Sequence, residues 1–345
     1  MTPAAAAGTR PRRLVLAGEA LVDVVMRVPG LPPRGGDMLA TSSQVAVGGG
    51  FNVMAAAARQ GLPVLYAGGH GTGPWGELVR AALAAEGIGL LRPPDPSRDT
   101  GFDVALVESD AERTFVTSLG AESIGAPGSW DAVPAGPGDA VYVSGYGLVA
   151  PDSGAVLGAW AAALPPGPLL FMDPGPLVAQ IPDAVLDPVL ARCDWLSCNA
   201  REAALLSGAT AAEEAARRLL ARTDHVGVIV RDGPDGCFLA LRPSAREGPG
   251  WLAAHASAGE RSGPVAPRPP SVSHIPAPAV VAVDTTGAGD AHSGVFLAAL
   301  ADGLSPAGAA RRANAAAALA VTRPGPATCP DRAELDAWLA RVWEE

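Results

Sequence analysis

The chain has no lysine: all 25 of its basic residues are arginine. That absence excludes a Walker P-loop, Schiff-base and PLP enzymes, and protein-kinase folds, each of which depends on a lysine. Any handling of phosphate must rest instead on backbone amides, arginine and metal ions. Cysteine is scarce as well. Cys193, Cys198, Cys237 and Cys329 show neither a C-x-x-C pair nor a regular spacing, so no disulfide framework is expected and a reduced cytosol is the default. The 5 histidines are scattered and form no metal-ligand cluster. Basic charge is outnumbered, with a formal net charge of −10 and a pI near 5.0, which argues against nucleic acid or an anionic membrane as partner. Apolar runs all stop short of the ~18–20 uncharged residues needed to cross a bilayer. Arg12-Arg13 before Leu14-Val15-Leu16 faintly resembles a twin-arginine signal, but Glu19 and Asp23 interrupt the apolar run. The expected location is the cytoplasm.

What the chain has in quantity is apolar surface and turn formers. Hydrophobic residues make up 48% and charged residues 17% of 345, with 42 glycines and 34 prolines, enough for one large α/β domain or two ordinary ones. Residues 1–13 are expected to be a disordered tail, and residues 14–345 one domain. Strand-length apolar runs fall at 14–17, 21–25, 43–47, 64–67, 141–144, 169–172, 194–197, 227–230 and 237–240. Helical patterns lie between several of them, at 51–60, 77–86, 201–206 and 211–221. Such alternation predicts a mainly parallel sheet covered on both faces. Residues 103–108 and 113–118 predict a hairpin turning at Ser109-Asp110-Ala111. The hairpin and residues 37–47 break the rhythm and are assigned to a small accessory sheet. Residues 243–276, rich in Pro, Ser, Gly and Ala, predict an extended loop.

The most informative stretch is Val283-Asp284-Thr285-Thr286-Gly287-Ala288-Gly289-Asp290. Read with the apolar run 278–283 before it, it predicts a strand, a glycine turn and a helix start. Gly287 and Gly289 let a charged oxygen approach the backbone, and the N–H groups and dipole of the helix start favour an anion there. Asp290, in the first helical turn, could take a proton from a hydroxyl while the amides hold developing charge. Taken alone, the same residues also describe a simple capped turn. A second glycine motif, Gly71-Thr72-Gly73-Pro74-Trp75-Gly76, is formally G-x-G-x-x-G, which would mean a dinucleotide site and an NAD-dependent oxidoreductase. Pro74 and Trp75 stand where a pyrophosphate would approach, the motif does not follow the first strand, and Asp95 sits in a Pro-rich loop. A packing turn is the preferred reading. His292, two residues past Asp290, is read as structural or solvated.

With these segments placed, residues 14–339 resemble the ribokinase-like (PfkB) carbohydrate kinases. Gly48-Gly49-Gly50-Phe51-Asn52, with Gly61 and Gly71 following, is similar to the first family signature, although Met54 stands where a small residue is usual. Asp284 to Asp290, continued by Ala291-His292-Ser293-Gly294, is similar to the second. Asn199-Ala200-Arg201-Glu202 matches the N-x-x-E motif, and Arg231-Asp232-Gly233-Pro234-Asp235-Gly236 resembles the strand-turn beside the nucleotide. Asn314 and Arg323-Pro324-Gly325 resemble the closing helix and loop by the adenine.

The resemblance implies a ribokinase-like three-layer α/β/α domain with a mainly parallel central sheet, plus a small β-sheet lid from residues of about 25–47 and 101–119. It implies ATP- and Mg²⁺-dependent transfer of the γ-phosphate to an alcohol, usually the primary hydroxyl of a sugar. Asp290 would be the general base, and Gly287, Ala288 and Gly289 the anion hole. Asn199 and Glu202 would hold metal-bound water, with Arg231, Gly233, Gly236 and Asn314 at the nucleotide. Asp23, Gly50 and Asn52 would bind sugar hydroxyls, a task suited to a carboxylate. A potassium ion is implied at Asp284, Thr286 and Gly325, and a homodimer through the lid. Gly49 replaces a lysine of ribose-specific relatives, Gly73 an aspartate, and Gly145-Tyr146-Gly147 after the strand at 141–144 offers no acid for the sugar. The first reading is a sugar kinase; nucleoside kinases share the scaffold and give the alternative. Arg113 is a candidate for gripping a phosphate already on the substrate, against an exposed hairpin arginine.

Overall fold

Strands covered on both faces must carry apolar side chains at consecutive positions, and the core strands of this chain do. The computed structural model describes residues 10–109, 112–123, 125–126, 128–222, 226–242 and 270–342, and it arranges their strands in two sheets. The larger sheet contains β1 (Arg13–Ala17), β4 (Val64–Tyr66), β5 (Gly89–Leu90), β8 (Asp139–Ser144), β9 (Leu169–Asp173), β10 (Trp195–Asn199), β11 (Gly227–Arg231), β12 (Cys237–Leu241) and β13 (Ser271–Ile275). Their spatial order is β13-β12-β11-β10-β9-β8-β1-β4-β5. All pairs from β5 to β11 are parallel, and β12 and β13 return antiparallel at one edge. The smaller sheet contains β2 (Ala20–Arg27), β3 (Ser42–Gly49), β6 (Phe102–Val107) and β7 (Arg113–Ser118) in the order β3-β2-β6-β7. Its β2–β6 pair is parallel and sets Asp23 opposite Asp103; the other two pairs are antiparallel.

Side-chain alternation divides each core strand between two apolar layers. Leu14 and Leu16 of β1 and Leu169 and Phe171 of β9 enter one layer, with α1 (Gly50–Arg59), α2 (Pro74–Ala85), α8 (Ala288–Ala301), α9 (Pro306–Ala320) and α10 (Arg332–Val342). Val15, Ala17, Leu170 and Met172 enter the other. There they meet α3 (Gly145–Val149), α4 (Gly154–Ala162), α5 (Asp183–Arg192), α6 (Ala200–Ser207) and α7 (Ala212–Arg222). The result is helix, sheet, helix, with the small sheet at the side. No helix among the described residues is long and apolar enough to cross a membrane.

Three expectations change in detail. Residues 278–283 form no strand; Val281 is 85% exposed, and the strand lies earlier, at Ser271–Ile275, inside the stretch read as a loop. The cause is local: Ser271 to Ile275 pairs with β12, and Pro276 and Pro278 lack the N–H donors needed to continue the ladder. Residues 243–269 lie outside the described residues, as do 1–9 of the expected tail and Asp110-Ala111 of the expected turn. Arg13, counted with the tail, opens β1: its guanidinium grips the Asp139 carboxylate at 2.6 and 3.0 Å, and the Arg12 N–H donates to the Gly138 carbonyl at 2.7 Å.

A single glycine sets the distance between α1 and α8. A Cβ on Gly294 of α8 would lie 2.5 Å from the Val53 carbonyl oxygen and 2.7 Å from the Ala56 Cβ, both on α1. Only glycine lets these helices approach so closely. Gly294→Ala should cost about 1–3 kcal/mol of stability by overpacking, read from denaturant unfolding; unchanged stability would mean the contact is looser than described.

Candidate active site

The parallel strands end along one rim, where Ala17, Ser144, Asp173, Asn199 and Arg231 close β1, β8, β9, β10 and β11. The chain order reverses between β1 and β8, the place where open α/β sheets bind ligands. Above this rim Gly287 takes φ +74°, a left-handed conformation, and caps α8. A first helical turn leaves its N–H donors without intrahelical partners; among the amides expected to form the anion hole, the Ala288 N–H donates to the Thr285 carbonyl at 3.3 Å.

Asp290 sits in that first turn, and its Oδ2 accepts from Asn52 Nδ2 at 3.1 Å across the α1–α8 contact. Burial pushes its carboxyl up to about 6, against the Asn52 hydrogen bond. The Asn52 Oδ1 is buried with no hydrogen-bond partner. His292 is buried and packs parallel to the Phe296 ring; burial lowers it to about 3, so it stays neutral and structural.

Beneath the cradle Arg231 is a hub. Its Nη1 donates to Asp173 Oδ2 at 2.7 Å, Ser197 Oγ at 3.0 Å and Ser293 Oγ at 3.3 Å, and its Nη2 lies 3.7 Å from Glu202 Oε2. Burial opposes this charge, but Asp173 and Glu202 outweigh it. A Cβ on Gly289 would stand 3.2 Å from the Arg231 Cζ, so a fixed positive charge underlies the anion turn. Asn199 and Glu202 form a reciprocal cap at the start of α6: the Glu202 N–H donates to Asn199 Oδ1 at 2.9 Å, and the Asn199 N–H to Glu202 Oε2 at 2.8 Å. Asp173, which the sequence reading missed, completes this acidic patch. Among the described residues no group of three acidic, His or Cys side chains could cage a metal by itself. Two carboxylates converging near a phosphate cradle do fit Mg²⁺ arriving with its nucleotide.

The nucleotide turn is partly rearranged. Gly233 (φ +58°) and Gly236 (φ +100°) flank a short helical turn, and a Cβ on Gly236 would meet the Ile275 carbonyl at 2.2 Å. Asn314 is buried and donates to the Ile275 and Pro276 carbonyls at 2.8 and 3.3 Å, so it shapes the wall and does not present its amide.

On the small sheet, Asp23 and Asp103 stand opposite each other across β2 and β6, and burial raises both carboxyls. The pair titrates as a unit. A Cβ on Gly48 would overlap the Asp23 Oδ2 at 2.2 Å, so that glycine makes room for the carboxylate. Gly50 donates to the Glu19 carbonyl at 2.9 Å. Gly145-Tyr146-Gly147 carry no acid, but the Glu19 carboxylate lies at the end of β8, where it accepts from Ser144 Oγ at 2.8 and 3.0 Å, and burial pushes it up to about 7. Tyr146, 46% exposed, feels the charges of Glu19, Asp290 and Asp103. Asp103 and Tyr146 carried no motif and were missed; the strand register alone could have flagged Asp103.

The structure also brings Asp284, Thr286 and Gly325 together. Asp284 Oδ1 accepts from the Thr286 N–H at 2.9 Å and Oγ1 at 2.7 Å, and from Arg113 Nη2 at 2.5 Å; Oδ2 accepts from the Gly325 N–H at 3.1 Å. These donors are a poor fit for potassium. Asp99 accepts from the Trp75 and Gly76 N–H groups at 3.0 and 2.8 Å, which occupies the amides a dinucleotide would need and leaves Gly71–Gly76 a packing turn.

Comparison with known proteins agrees. The pfkB family carbohydrate kinase profile matches residues 11–250 and 267–333. The uncharacterized sugar kinase YegV of Escherichia coli is 31% identical over 333 residues, 95% of this chain and 94% of that protein. A Thermotoga maritima ribokinase structure superposes with a TM-score of 0.74 at 23% identity, over 95% of this chain and 99% of that one. An Arabidopsis thaliana ribokinase complexed with ribose and ATP gives 0.67 at 23% identity, over 95% and 99%. With the profile spanning nearly its whole length on this scaffold, the chain is a member of the pfkB family of carbohydrate kinases.

Proposed function

We propose that the chain transfers the γ-phosphate of ATP to a primary hydroxyl of a small, uncharged sugar. The observation that carries the reading is Asp290, held by Asn52 in the first turn of α8 beside the amides of the cradle. Asn52 orients the carboxylate by its Oδ2, so Oδ1 faces the incoming hydroxyl and takes its proton. The hydroxyl oxygen bonds to the γ-phosphorus as the bond to the β-phosphate oxygen breaks, and ADP leaves. The N–H groups of Ala288 and Gly289 hold the charge that develops on the transferred group, with the Arg231 guanidinium behind them. Mg²⁺, carried by the nucleotide, would neutralise phosphate charge next to Glu202, Asn199 and Asp173. Gly233 and Gly236 would border the nucleotide, and the exposed side chains of Val280, Val281 and Val283 are candidates for contact with its base.

Substrate preference follows from the acids. Asp23, Asp103 and Glu19 suit hydroxyl donors and would repel a carboxylate or phosphate, so sugar acids and sugar phosphates are disfavoured. Arg113 is committed to Asp284 and does not serve a substrate phosphate. The half-exposed Tyr146 ring is the one observation that favours the second reading, a nucleoside whose base stacks there. We place the reaction in the cytoplasm, in keeping with ATP supply and the free thiols of Cys193, Cys198, Cys237 and Cys329. Potassium is not part of the proposal, because the Asp284 carboxylate is already occupied.

Two outcomes are expected. ATP consumption measured across pentoses, hexoses, sugar acids, sugar phosphates and nucleosides should be fastest with a neutral sugar, and Asp103→Asn should raise its KM. Faster turnover of nucleosides would select the second reading, and fastest turnover of an anionic sugar would contradict the role of the acids. The lid is also proposed as a homodimer contact, because Val45, Val24, Val104 and Val116 align across its four strands, with Val45 and Val116 at least half exposed. Light scattering should give a dimer that Val116→Arg splits; a wild-type monomer at micromolar concentration would end that part of the proposal.

A further inference from the structure

The cation site implied by sequence at Asp284 is already filled. We infer that the guanidinium of Arg113, carried on lid strand β7, is the resident cation of this site and ties lid position to the anion cradle. Asp284 Oδ1 takes three donors, Thr286 N–H, Thr286 Oγ1 and Arg113 Nη2, and its Oδ2 takes the Gly325 N–H. Three of those donors are nitrogens presenting their positive ends, and the fourth is a hydroxyl. A potassium ion would have to share this carboxylate with a guanidinium, whose positive charge stands 2.5 Å from Asp284 Oδ1. The residues present do not fit it.

The pair is not a solvated surface contact. The side chains of Arg113 and Asp284 are 22% and 11% exposed, so salt screens them less than an exposed pair. Burial works against the charged carboxylate, yet the Thr286 and Gly325 hydrogen bonds and the Arg113 charge together hold it below the usual range.

The chain of contacts is continuous. Arg113 pairs with Val107 at the far end of β6, the strand whose Asp103 stands beside Asp23. Asp284 holds Thr286 by both its N–H and its hydroxyl, and Thr286 immediately precedes Gly287, the left-handed cap of α8. The sheet that presents carboxylates to the acceptor is thus the sheet that grips the base of the anion turn. With Arg113 seated on Asp284, the position of β7 and the position of the turn are linked. Arg113 acts through Asp284 and touches no reacting atom; it is a positioning residue.

The inference rests on the anion turn being the phosphoryl site. It is tested with wild type, Arg113→Met and Arg113→Lys, each in potassium chloride and in tetramethylammonium chloride at matched ionic strength. Two readings are taken: kcat and KM with the preferred sugar, and the melting temperature of the protein without nucleotide. Wild-type kcat should differ less than about twofold between the salts, since only screening acts on it, and its melting temperature should not respond to potassium. Arg113→Met should lose about tenfold to a hundredfold in kcat through a misplaced cradle, and potassium should raise its melting temperature. Arg113→Lys should recover part of the lost kcat. A wild type that needs potassium for turnover, or whose melting temperature rises with it, overturns the inference. So does an Arg113→Met protein with unchanged kcat, or one that gains nothing from potassium in either reading. A protein that phosphorylates no sugar in either salt would instead contradict the proposed function, and the melting temperatures would still decide the cation question.

Discussion

The site depends on how closely two helices can approach. Gly294 lets α8 settle against the Val53 carbonyl of α1, and this brings Asn52 within 3.1 Å of Asp290. A hydrogen bond to a charged group is worth about 1.5–3 kcal/mol, and here it acts on a carboxylate that burial drives the other way. The balance leaves Asp290 near 6, basic enough to accept a hydroxyl proton and ionised at neutral pH. A helix pair held farther apart would leave the same aspartate without the Asn52 hydrogen bond, which favours its charged form.

The absence of lysine shapes the rest. Arginine is planar, stays charged and offers donors in a fixed fork, and two arginines occupy the places where a cation matters most. Arg231 underlies the anion turn and is neutralised by Asp173 and Glu202, so no bare charge is buried. Arg113 reaches from the lid to the residue that anchors the turn. One lies in the body of the domain and the other on the small sheet, and each is paired with a carboxylate.

Much of this was legible in the sequence. The alternating apolar runs predicted the parallel sheet, because strands buried on both faces cannot hide their composition. The glycine turn and Asp290 were readable because φ > 0 and an anion cradle require particular residues at particular spacings. Asp103 and Asp173 were not readable, since each sits in an ordinary strand and gains meaning only from its register with Asp23 or its reach to Arg231. Glu19 reaches the end of β8 from the turn between β1 and β2, so a search of the residues following β8 could not find it. Asn314 matched a motif, but its amide is spent on the backbone of Ile275 and Pro276. The strand at Ser271–Ile275 was masked by its polar, proline-flanked surroundings, while the valines beyond Pro278 look like a strand and have no ladder to join.

The central claim is that Asp290 is the base and that Asn52 sets its proton affinity. It is tested most directly by kcat/KM as a function of pH, which reports groups of the free enzyme, in wild type, Asn52→Ala and Asp290→Asn. A base works only when deprotonated, so wild-type kcat/KM should fall about tenfold per pH unit below a limb near 6. Removing the Asn52 donor takes away a hydrogen bond that favours the carboxylate, so the limb should move to higher pH. Asp290→Asn should lose the limb and at least ~100-fold in kcat, with its melting temperature nearly unchanged. A limb that stays in place in Asn52→Ala, or a folded Asp290→Asn enzyme that keeps more than about a tenth of wild-type turnover, would contradict the account.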